Sequence, residues 1–139
     1  MKKTKYTPGE FDLHVKRSST GKGLFTKTFI PKDKCIVEYT GIEIKEEDQH
    51  KVNSRYLFET GKGLMINGNI PSNIARYINH SCAPNCEANG PRGKVFIFSI
   101  KKINPGEELT YNYGKEYFDK YFKKTGCKCN KCSTKNIKN

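Results

Sequence analysis

The sequence has few acidic residues, because 14 Asp and Glu stand against 26 Lys and Arg, which gives a formal net charge of +12. It lacks any apolar run near the roughly 20 residues that a transmembrane helix requires. Its basic first residues, Met1 to Lys5, are not followed by the apolar stretch of a signal peptide. Internal repeats and low-complexity linkers are also missing. We therefore expect an intracellular protein with no signal peptide and no transmembrane segment.

The composition is that of one folded domain. Hydrophobic residues make up 35% of the 139 residues and aromatic residues 12%, which is enough for a single core and argues against disorder. The positive charge is explained equally by a solvated Lys-rich face or by attraction to nucleic acid or another polyanion. Acidic side chains gather locally at Glu43, Glu46, Glu47 and Asp48, where a basic peptide could lie.

Short segments rich in β-branched and aromatic residues, bounded by Gly, Pro, Asn or Asp, predict strands. They cover residues 24–29, 35–39, 55–58, 64–66, 95–100 and 109–113. Residues 45–53 are predicted to be helical, and so are residues 115–124, where four aromatic residues share one face. The expected class is a mainly β domain with little helix.

The six cysteines favour metal binding over disulfides in an intracellular chain. Cys127, Cys129 and Cys132 have the spacing CxCxxC, whose thiolates can converge on one tetrahedral zinc ion. This string supplies three ligands, so a fourth must come from elsewhere. Cys35 lies in an apolar, strand-like run and is expected to be a core thiol.

Three strings occur in a fixed order: RYINHSCAPN at residues 76–85, ELTYNYG at residues 108–114, and the cysteine tail. Together they resemble the SET-domain protein lysine methyltransferases that carry a cysteine-rich post-SET segment. The resemblance runs from about Phe11 to Cys132. It implies a SET fold over residues 11–114, in which small sheets surround a threaded, pseudoknot-like C-terminal segment. A zinc-binding post-SET segment is implied over residues 115–139.

The resemblance implies a site for the methyl donor S-adenosylmethionine. Read alone, the string GKG at residues 21–23 usually marks a tight turn, and it lacks the third glycine and the helix of a dinucleotide fingerprint. In the family, this string and the Asn-His pair contact the donor. His80 is expected to be a buried histidine rather than a general base. The implied donor-binding residues are Lys22, Gly23, Leu24, Tyr56, Arg76, Asn79 and His80.

Tyr113 matches the catalytic tyrosine of the family. The attacking lysine amine must be neutral, although the pKa of a free lysine is about 10.4. An apolar channel and the positive sulfonium both disfavour the ammonium form, and oxygen acceptors then align the amine with the methyl group. Tyr39 matches a second channel tyrosine. Tyr111 stands where the family carries Phe or Tyr, and its extra hydroxyl predicts a monomethyl or dimethyl product.

Zinc would be structural, because lysine methylation in this family needs no metal in the chemistry. The resemblance implies Cys82, Cys127, Cys129 and Cys132 as ligands, with Cys86 as the alternative to Cys82. The chain departs from the common pattern in its short CxCxxC tail and in having no cysteine-rich segment before the domain. Its insert between Tyr39 and Arg76 is also short, so a substrate preference is not carried over.

The leading interpretation is a protein-lysine methyltransferase that acts on a histone or another chromatin-associated protein, in the nucleus of its own cell or of a host. One alternative is a SET-type enzyme with a non-histone substrate. Another is a zinc-bearing module that binds chromatin or nucleic acid without catalysis. The presence of Tyr39, Asn79, His80 and Tyr113 together argues against the module, because a decayed enzyme is expected to lose at least one of them.

Overall fold

The structure, a computed structural model, describes residues 6–18, 21–52, 56–61, 63–91 and 93–112. Within these ranges the chain is mainly β, as predicted. The strands are β1 Leu13–Ser18, β2 Gly21–Thr26, β3 Cys35–Tyr39, β4 Ile42–Lys45, β5 Leu57–Gly61, β6 Leu64–Asn67, β7 Asn79–His80, β8 Cys86–Asn89, β9 Val95–Ser99 and β10 Thr110–Tyr111. Two 3₁₀ helices cover Glu46–Lys51 and Ile74–Tyr77.

The predicted elements agree with the structure to different degrees. Residues 35–39 coincide with β3, and the predictions at 55–58, 64–66, 95–100 and 109–113 overlap β5, β6, β9 and β10. The helix predicted at 45–53 is the 3₁₀ helix Glu46–Lys51, which buries none of its residues. The strand predicted at 24–29 is shifted, since β2 begins at Gly21 and ends at Thr26. The helix predicted at 115–124 lies outside the described residues.

Four small sheets make up the described fold. The first is an antiparallel hairpin of β1 and β2, and the second is an antiparallel sheet in the order β3-β9-β8. The third sheet, β4-β6-β5, is also antiparallel, whereas β7 and β10 form a short parallel pair. No helix in the described ranges is long and apolar enough to span a bilayer.

Strand β9 is the centre of the core, since all five of its residues are buried. Successive side chains of a strand point to opposite faces. Val95 and Ile97 accordingly join the main core, while Phe96 and Phe98 form a second cluster with Cys35 and the partly buried Tyr6. Cys35 is thus a buried thiol, in agreement with the sequence prediction.

The core also fixes the segment that leads into β10. Leu24 and Leu109 are both fully buried, and the Leu109 N–H donates to the Leu24 carbonyl at 2.8 Å. An isolated antiparallel bridge joins Phe25 to Glu108. Strand β2 therefore holds residues 108–109 beside it, and this contact brings Glu108 toward the glycine string at residues 21–23.

Candidate active site

The motif strings at residues 76–85 and 108–114 meet where β7 and β10 form a parallel pair. We call this pair, together with Asn85, the strand junction. Asn79 pairs with Thr110 and His80 pairs with Tyr111. The Ser81 N–H extends the ladder by donating to the Tyr111 carbonyl at 3.1 Å. Residues 31 positions apart in sequence thus lie side by side, as they must if both strings form one site.

The Asn85 side chain binds the main chain of residues 108–110, where β10 begins. Its amide is buried, with 6% of the residue exposed. The Oδ1 atom accepts from the Thr110 N–H at 2.9 Å, and Nδ2 donates to the Glu108 carbonyl at 2.8 Å. One amide therefore satisfies a main-chain donor and a main-chain acceptor, as a neighbouring strand would. The sequence analysis missed this role, although a motif asparagine after a proline was the available signal.

Asn79 joins three chain segments. Its Nδ2 donates to the Glu108 carboxylate at 2.8 Å and to the Lys22 carbonyl at 3.0 Å. A Cβ atom on Gly23 would overlap the Glu108 carboxylate and crowd this amide. Gly23 therefore leaves room for the Glu108 carboxylate beside the strand junction, and glycine here allows packing rather than a left-handed backbone.

His80 and the two nearby cysteines differ in environment. His80 is half-buried, and desolvation lowers its pKa. Its Nε2 lies 3.4 Å from the Sγ of Cys82, which is exposed. Cys86 is 1% exposed in the main core, where burial raises the pKa of its thiol to about 12. Because zinc binds the thiolate, these environments favour Cys82 over Cys86 as a ligand.

A row of aromatic rings links Tyr39 to Tyr111. The ring centroids of Tyr39 and Phe58 are 5.2 Å apart, and those of Phe58 and Tyr111 are 6.0 Å apart. Tyr39 is 3% exposed, and its hydroxyl donates to the Tyr56 carbonyl at 2.9 Å. The sequence analysis did not identify Phe58 as the link, although it follows Tyr56 by two residues and so lies on the same face of the chain.

Arg76 contacts several residues next to the aromatic row. Its guanidinium carbon lies 4.8 Å from the ring centroid of Tyr77 and 5.9 Å from that of Tyr56. Nη2 donates to the Tyr77 hydroxyl at 2.7 Å, and Nη1 donates to Asn69 Oδ1 at 3.1 Å. Lys22 Nζ lies 5.7 Å from the same Tyr77 ring. Tyr77 therefore connects two of the residues that the sequence predicted to bind the donor.

The structure thus places the predicted donor residues in two neighbouring groups. One group is formed by Lys22, Gly23, Leu24, Asn79 and His80 around the strand junction, and the other by Arg76 and Tyr56. No cluster of three or more His, Cys, Asp or Glu side chains suited to a metal occurs among the described residues. Tyr113, Cys127, Cys129 and Cys132 lie outside the described residues, as do the post-SET segment and the threading predicted for the C-terminal part.

A family model described as "SET domain" matches residues 21–114. The chain belongs to the SET domain family. This SET domain is 37% identical over 133 residues to "Histone-lysine N-methyltransferase, H3 lysine-36 specific" of Mus musculus, a match that covers 85% of this chain and 5% of that protein. It is 35% identical over 105 residues to "Histone-lysine N-methyltransferase, H3 lysine-4 specific" of Chaetomium globosum, covering 66% and 10% of the two chains.

A solved structure shares the fold. It is described as "crystal structure of KRYPTONITE in complex with mCHH DNA, H3(1-15) peptide and SAH", and it superposes on this SET domain with a TM-score of 0.66 at 33% identity. The match covers 76% of this chain and 24% of that chain. The chain therefore spans only a small part of the length of the proteins it matches. The resemblance found in the sequence is confirmed as membership of the SET family.

Proposed function

We propose that this SET domain is a protein-lysine N-methyltransferase that uses S-adenosylmethionine and acts on a histone or another chromatin-associated protein. The observation that carries the proposal is the strand junction, which sets Asn79 and His80 beside Thr110 and Tyr111 in a chain of this family. The relatives named as histone-lysine methyltransferases and the structural neighbour bound to SAH support the same reaction and substrate class.

The methyl donor would bind where the glycine string meets the strand junction. Both donor hydrogens of the Asn79 amide are directed at protein oxygens, those of Glu108 and Lys22. We therefore assign ligand contacts at Asn79 to its Oδ1 atom and main chain. The main chain of Lys22, Gly23, Leu24 and His80 would complete this side of the site, and Tyr56 and Arg76 would line it further out.

S-adenosylmethionine, when bound, supplies a methyl group on a positively charged sulfur. The protein must keep the lysine amine neutral and aligned, which desolvation and fixed oxygen acceptors achieve. Tyr113 is proposed as the catalytic hydroxyl, with Tyr111 beside it. Tyr39 would shape the channel through its ring, because its hydroxyl already donates to the Tyr56 carbonyl at 2.9 Å.

Structural zinc is proposed on Cys82, Cys127, Cys129 and Cys132. The exposed Cys82 thiol can reach a partner segment, whereas Cys86 is buried with a pKa raised to about 12. Four thiolates would fill the tetrahedral shell and leave no open position for catalysis. The metal would fix residues 115–139 as a post-SET lid over the donor and the lysine channel, beside a SET domain at residues 11–114.

The proposal places the protein at chromatin in a nucleus. It is tested by incubating the purified chain and methyl-labelled S-adenosylmethionine with free core histones, nucleosomes or a cell extract. We expect a discrete labelled histone band that Tyr113→Phe abolishes. A labelled band in the extract alone would favour a non-histone substrate. A folded chain that binds no donor and labels nothing would contradict the proposal and favour a non-catalytic binding module.

The methyl state of the product is proposed to be mono- or dimethyl. Tyr111 is 9% exposed and its ring packs toward Phe58, so its hydroxyl occupies space near the site. Tyr111→Phe removes that oxygen and is expected to add one methyl state to the product, measured by mass spectrometry of the modified peptide. An unchanged methyl distribution in an active Tyr111→Phe variant would contradict this assignment.

A further inference from the structure

Five exposed lysines lie on two loops at the end of the domain marked by the pairing of Ile30 with Ile103. Lys27, Lys32 and Lys34 lie between β2 and β3, and Lys101 and Lys102 follow β9. We call these five residues the lysine rim. Across residues 27–34 and 99–104 there are five lysines and one acidic residue, Asp33, so the two loops carry a formal charge of +4.

Main-chain hydrogen bonds bring the two loops together. Ile30 and Ile103 exchange N–H···O bonds of 2.8 and 2.9 Å. The Asp33 N–H donates to the Ser99 carbonyl, and the Ser99 N–H donates to the Lys34 carbonyl, both at 2.9 Å. Each lysine of the rim is at most three residues from one of these contacts, so with Cα spacings of about 3.8 Å its Cα atom lies within about 11 Å of the contact.

Among the described residues, the rim ammonium groups have no carboxylate partner. Within the part of the chain that the structure describes, none of the five ammonium groups forms an ion pair, whereas Lys51 pairs with Asp48 at 3.3 Å. Three acidic residues lie on or beside the two loops: Asp33, Glu107 and Asp12, whose carbonyl accepts the Lys27 N–H at 2.7 Å. The five lysines outnumber them, so the rim carries a net positive charge, which attracts a polyanion.

An exposed aromatic side chain stands among these charges. Phe29 is 46% exposed, one of two large hydrophobic residues exposed in the described ranges. Lysines bind phosphates as point charges, and an exposed ring offers a stacking surface for a base. The carboxylate groups of an acidic peptide would use the charges but cannot stack on the ring. We propose that the lysine rim binds the phosphate backbone of nucleic acid, with Phe29 packed against a sugar or an unpaired base.

The proposal does not depend on methyl transfer, and its test needs no methyl donor. Fluorescence anisotropy of the full 139-residue chain would measure binding to labelled duplex and single-stranded DNA at several salt concentrations. The test variant is Lys101→Glu with Lys102→Glu. The matched control is Lys45→Glu with Lys94→Glu, which makes the same charge change at exposed positions away from the rim. Strand β9 separates Lys94 from the rim by about 13 Å.

We expect the rim variant to raise the Kd for DNA about tenfold. The plot of the logarithm of the association constant against the logarithm of the salt concentration should also become less steep, by about two units of slope. The control pair should change the Kd by less than about twofold. If the Phe29 ring stacks on a base, Phe29→Ala should weaken binding to single-stranded DNA more than binding to duplex DNA. If the ring contacts a sugar, binding to both should weaken about equally. Either result supports the proposal. Matching thermal melts would show that the charge variants remain folded.

Equal loss of affinity in both charge pairs would overturn the proposal, because it would mean that net charge alone binds DNA. No binding by the unaltered chain at about 0.1 M salt, where the Debye length is about 10 Å, would also overturn it. Polyglutamate serves as the competing polyanion. If it bound as tightly as DNA and lost the same affinity in the rim variant, the partner would instead be an acidic protein.

Discussion

The strand junction and the β4-β6-β5 sheet lie close in the fold but are built differently. At the junction, buried Asn85 and the Asn79 amide fix main-chain and carboxylate groups at 2.8 to 3.0 Å. The β4-β6-β5 sheet carries the 3₁₀ helix Glu46–Lys51, which buries no residue, and Ile42 of β4 is 59% exposed. One region is held by side-chain hydrogen bonds that are mostly part-buried, and the other presents most of its polar residues to solvent.

This difference indicates that the two regions have different structural roles. A buried, fully paired polar network specifies one arrangement, because each broken bond leaves a buried group without a partner. Such a network suits the part of the site where the donor must be aligned. The exposed positions of the β4-β6-β5 sheet should tolerate substitution, because surface changes away from buried features usually alter stability by less than about 0.5 kcal/mol. The β4-β6-β5 sheet is therefore where we expect related chains to differ.

The largest effect is expected from Asn85→Ala. The change removes the hydrogen bonds from the Asn85 side chain to the Thr110 N–H and the Glu108 carbonyl, and it leaves both main-chain groups unpaired. Because each such loss costs about 1–3 kcal/mol, we expect the free energy of unfolding to fall by about 3 kcal/mol, measured by urea titration. Asn104→Ala is the control at an exposed asparagine. A similar small change in both variants would remove the distinction between the two regions.

A smaller effect is expected from Tyr39→Phe, where the two regions meet. The hydroxyl donates to the Tyr56 carbonyl, which also accepts the Gly68 N–H at 2.8 Å. The carbonyl therefore keeps one partner, and we expect a loss of about 1 kcal/mol in unfolding free energy with methyl transfer retained. Abolished transfer in a folded Tyr39→Phe variant would show instead that this hydroxyl touches the substrate.

The smallest effect is expected from Lys51→Ala in the 3₁₀ helix. Lys51 and Asp48 form an ion pair of 3.3 Å, and their side chains are 67% and 41% exposed. Exposed pairs contribute about 0–1 kcal/mol, so the melting temperature should change by little more than the error of the measurement. A loss as large as that of Asn85→Ala would mean that the β4-β6-β5 sheet is as tightly coupled to the core as the junction is.

The sequence predicted the features that depend on local pattern. Runs of β-branched and aromatic residues located β3 and β9, and the ordered strings led to the SET family, which the match over residues 21–114 confirms. Strands β7 and β10 are only two residues long, and their pairing joins segments about 30 residues apart. No local periodicity reports such a pairing, so it could not be predicted from the sequence pattern.

Polar side chains that act structurally were harder to predict. Asn79 was predicted to contact the donor, which stays a prediction, and the sequence did not reveal that its amide N–H groups bind Glu108 and Lys22. Strand β8, with the sequence CEAN, has little β-branched character and pairs with β9 because the core requires it. Tertiary packing overrides local propensity at such positions. The predicted roles of Tyr113 and of the zinc-binding cysteines remain predictions for the experiments above.

The strand junction is expected to build the donor site. Calorimetric titration of S-adenosylhomocysteine into the unaltered chain, Asn79→Ala and Lys51→Ala tests it. We predict that Asn79→Ala raises the Kd about tenfold, equivalent to about 1.4 kcal/mol, while Lys51→Ala leaves it unchanged. Equal affinity in a folded Asn79→Ala variant and the unaltered chain would contradict the claim and place the donor site elsewhere.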